Sequence, residues 1–206
     1  MNRFLRWQLL GAIAVLAIAA LGCTGSEQQA DSGSLEMQGS AGSEQNASDG
    51  TEGTMGQPAA AICELTPTEG NAVTGTVMFT AVEGGVKVTA HVTGLTPGNH
   101  GFHVHENGDC SAPDAMSAGA HFNPEHMAHG GPDAEVRHGG DLGNLFADST
   151  GTAHYERLDS RLSLEGEHAI IGRAVIVHAD LDDLTTQPTG AAGARVACGV
   201  IQAGTQ

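Results

Sequence analysis

The side chains best equipped for chemistry in this sequence are its histidines, and they are unevenly spaced. His103-Val104-His105 sets two imidazoles two residues apart; His121, His129, His138 and Asp141 follow in a stretch rich in Gly and Pro, and His178 comes later. Residues two apart in a β-strand project from one face, so His103 and His105 point one way while Phe102 and Val104 point to a core. Two neutral imidazoles on one face make half of a copper or zinc site. Three histidines and a carboxylate, free to curl from a loop onto one ion, supply the four ligands that tetrahedral zinc takes. A lone loop histidine is usually a polar surface residue, and His91, His126, His154 and His168 are read that way. His100, before Gly101 at the start of a strand, is read as a hydrogen-bonded structural residue. An H-x-H pair followed by a dense loop set does not follow from composition.

These ligands need a scaffold, and the surrounding sequence reads as short strands. Val73 to Ala81 alternates, Glu83-Gly84-Gly85 offers a tight turn and Val86 to Val92 returns, which predicts a hairpin. Asp148-Ser149-Thr150-Gly151 separates Leu142 to Ala147 from Thr152 to Arg157, and Ile170 to His178 and Arg195 to Ile201 are two more short apolar runs. The stretch from Asn107 to Asp141 is too long to be structureless filler. Gly numbers 30, aromatic residues are 3% of the chain, and no long amphipathic helix is evident. The pattern predicts an all-β sandwich or barrel with function carried on its loops.

The ends and the charge bound the rest. Residues 1–22 have a basic start with Arg3 and Arg6, then an apolar run from Leu9 to Gly22 that ends at Cys23, the layout of a signal peptide and too short for a retained membrane span. Ala20-Leu21-Gly22-Cys23 resembles a bacterial lipoprotein processing box, which would leave Cys23 acylated; Ala20 departs from the usual Leu. The alternative is cleavage near Ala17-Ile18-Ala19, leaving Cys23 a free thiol. Residues 23–58 are Gly, Ser, Gln, Asp and Glu with few large apolar side chains, so they are expected to be a disordered tether with a reach on the order of 30 Å. The globular domain is expected over 59–206. With eight Lys and Arg and a formal net charge of -16, no clustered cationic surface exists to track phosphates, which excludes nucleic-acid binding.

Several stretches carry a specific resemblance: Gly101-Phe102-His103-Val104-His105, Gly119-Ala120-His121-Phe122-Asn123-Pro124, His129-Gly130-Gly131-Pro132, Arg137-His138-Gly139-Gly140-Asp141-Leu142-Gly143-Asn144, Ile170-Ile171-Gly172-Arg173 and Ala197-Cys198-Gly199-Val200-Ile201. In this order they resemble the motifs of copper,zinc superoxide dismutases. The resemblance implies an eight-stranded Greek-key β-barrel, like an immunoglobulin sandwich, with two long functional loops. It implies disproportionation of superoxide to O2 and hydrogen peroxide by Cu(II)/Cu(I) cycling. Copper would be bound by His103, His105, His121 and His178, and zinc by His121, His129, His138 and Asp141, with His121 bridging both metals and carrying a proton. Asp182 would hydrogen-bond His103 and His129, and Arg195 would attract the anionic substrate at the mouth of the copper channel. Cys110 and Cys198 would form the family's disulfide.

Cys63, after Ile62 in the first strand, is then read as a buried thiol. The expected location is the periplasm or cell surface, with the membrane reached through lipid at Cys23. A homodimer is also implied, although Gln202-Ala203-Gly204 is less apolar than the dimer-forming end of eukaryotic members. Cys110 lies closer to His105, and further from His121, than in those members. Two other function classes compete: a barrel that buffers or delivers copper or zinc without turnover, and a surface-anchored adhesion module. The complete ligand sets and Arg195 argue against the first, and no motif supports the second.

Overall fold

The computed structural model describes residues 59–204; the signal peptide, Cys23 and the tether expected over residues 1–58 lie outside the described residues. The strands are β1 (Ala60–Pro67), β2 (Thr74–Val82), β3 (Gly85–Thr93), β4 (Gly98–His105), β5 (Asp141–Ala147), β6 (Ala153–Asp159), β7 (Ala174–His178) and β8 (Arg195–Val200), followed by a two-residue β9 (Gln202–Ala203). All pair antiparallel in the order β2-β3-β6-β5-β4-β7-β8-β1, and β1 pairs back on β2, which closes the barrel. β9 adds to β1 beyond the end of β8. Neighbours β3–β6 and β4–β7 are not consecutive in sequence, the mark of Greek-key crossings. The only helix among the described residues is a 3-10 turn at Met116–Ala118.

Alternation builds the core. Ala61, Cys63 and Leu65 of β1, Val77 and Phe79 of β2, and Val86, Val88, Ala90 and Val92 of β3 point inward, while their neighbours face water or the rim. The β2–β3 hairpin closes at Val82–Gly85, with Gly84 at φ 89 supplying the left-handed residue the turn needs.

β4 and β7 break this pattern because they are buried on both faces from Gly101 onward and throughout, respectively. Their inward residues Phe102, Val104, Val175 and Val177 belong to the barrel core. Their outward residues are roofed by two loops, residues 106–140 and residues 179–194. Under the first loop Ala115 and Ala118 pack on Ala174, Ile176 and Cys198, a second apolar cluster outside the barrel. The disulfide Cys110–Cys198 pins that loop to β8.

The run predicted as a strand from Ile170 forms one only from Ala174. Gly172 sits at φ 82 and the Arg173 amide donates to the Ile170 carbonyl, so the chain turns there, although Ile170 is still buried in the core. Apolar continuity reported burial at that point, and the backbone turn was invisible in it.

Candidate metal centre

The loop over residues 106–140 is stitched to the end of β4. The Phe122 amide donates to the Val104 carbonyl, the Val104 amide to Gly140 and the Gly140 amide to Phe122, while His105 and His121 form a bridge. Any Cβ at Gly140 would strike the Val104 carbonyl, so only glycine permits this approach. The stitching brings His121, His138 and Asp141 under the outward face of His103 and His105.

Two groups of donors result, each with its donor atoms within 4.8 Å of one another: His103, His105, His121 and His178, and His121, His129, His138 and Asp141. All seven residues are buried. His121 belongs to both, and its ring lies 4.0 Å from that of His103 between centroids.

In the second group the donors crowd one point. His121 Nδ1 lies 2.8 Å from Asp141 Oδ1, His129 Nδ1 and His138 Nδ1 each 3.1 Å from it, and His138 Nδ1 3.3 Å from His121 Nδ1. Ligands about 2.0–2.1 Å from a tetrahedral ion stand roughly 3.3 Å from one another, so these spacings fit a zinc ion. In the first group the fit lies in what is left unpaired. His103 Nδ1, His105 Nε2, His121 Nε2 and His178 Nε2 are buried and have no hydrogen-bond partner. Orphaned buried nitrogens are costly unless something binds them.

Each ring's other nitrogen is held, which fixes its tautomer. His105 Nδ1 donates to the Gly119 carbonyl at 3.0 Å and His178 Nδ1 to Gly193 at 3.2 Å, leaving both Nε2 lone pairs bare. Asp182 holds two rings at once: Oδ2 accepts from His103 Nε2 at 2.8 Å and Oδ1 from His129 Nε2 at 2.9 Å. Asp182 is itself clamped, for its amide donates to Asn144 Oδ1 and its carbonyl accepts from Asn144 Nδ2. Gly190 passes so close that a Cβ there would meet the Asp182 carboxylate and His129 Nε2.

The electrostatics divide the groups. Burial, then the His103 charge, pulls His121 down to about 4, and burial pulls His178 down to about 3; burial also lowers His103 and His105. Their lone pairs are therefore free of protons at neutral pH. His129 goes the other way. Burial opposes its charge, but hydrogen bonds to Asp141 and Asp182 prevail and raise it to about 9. For Asp141 too burial opposes the charge, and hydrogen bonds from His121, His129 and His138 hold its carboxyl well below the usual range. A pocket that draws positive charge this strongly suits a divalent cation.

Arg195 lines a cleft with His105, His178, Thr68, Asp114 and Met116. Its Nη1 donates to the Ala115 carbonyl at 2.7 Å and Nη2 to Gly119 at 2.6 Å. The Gly119 carbonyl thus holds both the guanidinium and His105.

The seven donors read from sequence come together here, with Asp182 and Arg195 beside them, while Cys63 lies in the barrel core. His91, His126, His154 and His168 lie outside both groups, and His100 is fixed between the His178 and Thr96 carbonyls. Sequence reasoning gave no role to three supports. Arg137 forms a two-toothed ion pair with buried Asp159 at 2.8 Å and donates to the His138 and Asp141 carbonyls. Asn144 clamps Asp182, and Gln187 binds both the amide and the carbonyl of His129. Arg137 and Asn144 stood inside a quoted motif; Gln187 had no signal.

An all-imidazole donor set joined through one ring to a mixed imidazole–carboxylate set suits copper beside zinc, so fold and site define a binuclear copper–zinc β-barrel protein. Comparison with known proteins narrows this. Residues 73–201 match the family described as copper/zinc superoxide dismutase (SODC). The chain is 49% identical over 152 residues to the superoxide dismutase [Cu-Zn] of Paramecium bursaria Chlorella virus 1, covering 70% of this chain and 79% of that protein. It is 44% identical over 157 residues to the extracellular superoxide dismutase [Cu-Zn] of Brugia pahangi, covering 72% and 78%. The crystal structure of the clock protein EA4 superposes with a TM-score of 0.66 at 47% identity, covering 71% of this chain and 96% of that one. The chain belongs to the copper/zinc superoxide dismutase family. Its activity is the dismutation of superoxide and its cofactors are copper and zinc.

Proposed function

We propose that dismutation takes place at the copper group His103, His105, His121 and His178, that His121, His129, His138 and Asp141 hold zinc, and that His121 is the proton carrier between them. The observation that carries this is the His121 ring, whose Nδ1 faces Asp141 while its Nε2 is buried and unpartnered among the other imidazoles. Bound copper supplies one-electron oxidation and reduction, while zinc, which has no redox chemistry, supplies charge. Overall, two superoxide ions and two protons give O2 and hydrogen peroxide. His121 Nε2 takes up a proton in one half of the cycle and gives it to the departing peroxide in the other; its Nδ1 side keeps the ring in place throughout. Arg195 attracts the anion into the cleft with the guanidinium donors not tied to Ala115 and Gly119. Asp182 keeps His103 and His129 turned toward their sites.

The test is superoxide dismutation by the copper- and zinc-loaded chain beside His178→Ala, His121→Ala and Arg195→Ala. Activity should vanish with His178, fall steeply with His121, and fall with Arg195 by more at low salt than at high. Full activity in His121→Ala would remove the proton-carrier role, and metal binding without turnover in the unaltered chain would leave only a metal-binding barrel.

The finer placement rests on other features. The disulfide suits an oxidising compartment, one relative is extracellular by name, and residues 1–22 have a signal-peptide layout, so the chain is exported to the periplasm or cell surface. Cys23 is acylated and residues 23–58 tether the domain to the membrane. The mass of the mature N-terminus decides this, since an unmodified start on either side of Cys23 would rule the anchor out. The homodimer implied by the resemblance is checked by light scattering, where a monomer mass at micromolar concentration would dismiss it.

A further inference from the structure

Away from the buried centre, two other imidazoles stand in register. His91 of β3 and His154 of β6 are Cα partners in the ladder, and their ring centroids are 4.7 Å apart with the planes inclined by 52°. Both are exposed, while Ala90, Val92 and Ala153 beside them point into the barrel. Residues directly opposite in an antiparallel pair carry their side chains on one face with Cβ atoms roughly 4.5–5.5 Å apart. Among the described residues neither ring enters a hydrogen bond or an ion pair, in contrast to His100, which is fixed at both nitrogens.

We propose that His91 and His154 form a third metal site, a surface chelate of two imidazoles for a divalent late first-row cation, with Cu2+ held more tightly than Zn2+ and water completing the coordination. Imidazole suits both ions, and the general affinity order places Cu2+ above Zn2+. Ring centres this close let one nitrogen of each ring reach the spacing of about 3 Å that two ligands on one ion require. Two protonated imidazoles so placed would repel each other; a shared cation turns the same proximity into attraction. The neighbourhood favours positive charge. Glu64 ends the same cross-strand row, bound to Thr76, the residue opposite His91. The ladder fixes where the two side chains start, so binding orders only the ring rotations. β5 separates β6 from β4, so this ion would lie on a different wall of the barrel from the buried centre and exchange directly with solvent.

The experiment starts from the full chain carrying one copper and one zinc and titrates it with Cu2+ in a non-coordinating buffer, followed by calorimetry and electron paramagnetic resonance. A third equivalent should bind, with a spectrum showing two nitrogen ligands. His91→Gln or His154→Gln should each weaken it at least tenfold while the first two ions, the dismutation rate and the thermal midpoint stay unchanged. His126→Gln, at another exposed histidine, should leave it intact. No histidine precedes His91, so the N-terminal segment offers no competing imidazole. Absence of a third equivalent, or its survival in the double variant, would overturn the proposal.

Discussion

The barrel has two walls built from the same alternating strands and finished differently. On β2, β3 and β6 the outward side chains Thr76, His91, His154 and Glu156 are left open or half-open to water. On β7 and on β4 from Gly101 onward the outward side chains lie under two loops, so His103, His105 and His178 are buried almost as deeply as the core. What covers an imidazole therefore decides its chemistry. His154 keeps both nitrogens free and can turn; His178 is desolvated, has one nitrogen assigned to a carbonyl and presents the other in one direction. The open wall can host an exchangeable ion, whereas the covered wall can specify which atom binds which ion.

The covered wall depends most on the tie between loop and barrel. Asp159→Asn leaves the Arg137 guanidinium buried without its countercharge, and removing one member of such a pair typically costs about 3–5 kcal/mol. Thermal unfolding should show the largest fall of any variant here, with zinc lost first because Arg137 also holds the His138 and Asp141 carbonyls. An unchanged midpoint would mean that the roof does not depend on this tie. Next is Asp182→Asn, which keeps the shape but replaces one of two acceptors by a donor. Metal affinity should fall on the order of 10–100-fold, read by competition with a chelator, while the barrel stays folded; unaltered affinity would deprive the Asp182 bridge of its orienting role.

A third test concerns pH. Burial pushes the Cys63 thiol up to about 12 from 9.0. The unfolded thiol ionises first as pH rises, so the stability this group contributes is complete below 9 and is lost between 9 and about 12. At pH 8 iodoacetamide should spare Cys63 in the folded protein and modify it in denaturant; equal rates would place the thiol outside the core. The smallest effect belongs to the open wall, where His154→Thr, without added metal, should change stability by no more than about 0.5 kcal/mol. A larger loss would show that this wall, too, carries a structural imidazole.

What was legible in the sequence was whatever repeats locally. The alternation of β2 and β3 and the H-x-H of β4 announce themselves within a few residues, because a strand's two faces are written two positions apart. Reading the apolar run from Ile170 as one strand misplaced the start of β7, since Ile170 is buried without being in a strand and the chain turns at Gly172. The supports of the centre were harder to read. Arg137 finds Asp159 across 22 positions, Asn144 finds Asp182 across 38 and Gln187 finds His129 across 58. Such pairings depend on where the Greek key returns the chain, and spacing alone contains no record of that. Gly190 is similar: its need for a missing Cβ arises only when Asp182 and His129 arrive beside it.

The reach of Asp182 has a consequence for the order of events during folding. It joins His103, 79 positions earlier, to His129, 53 positions earlier. Contacts of that separation form only after the intervening chain has been gathered, which makes them late and entropically expensive. A nascent or half-assembled chain therefore holds histidines without holding a site, and a redox-active ion finds its complete set of nitrogens only once the barrel is closed and the roof is on.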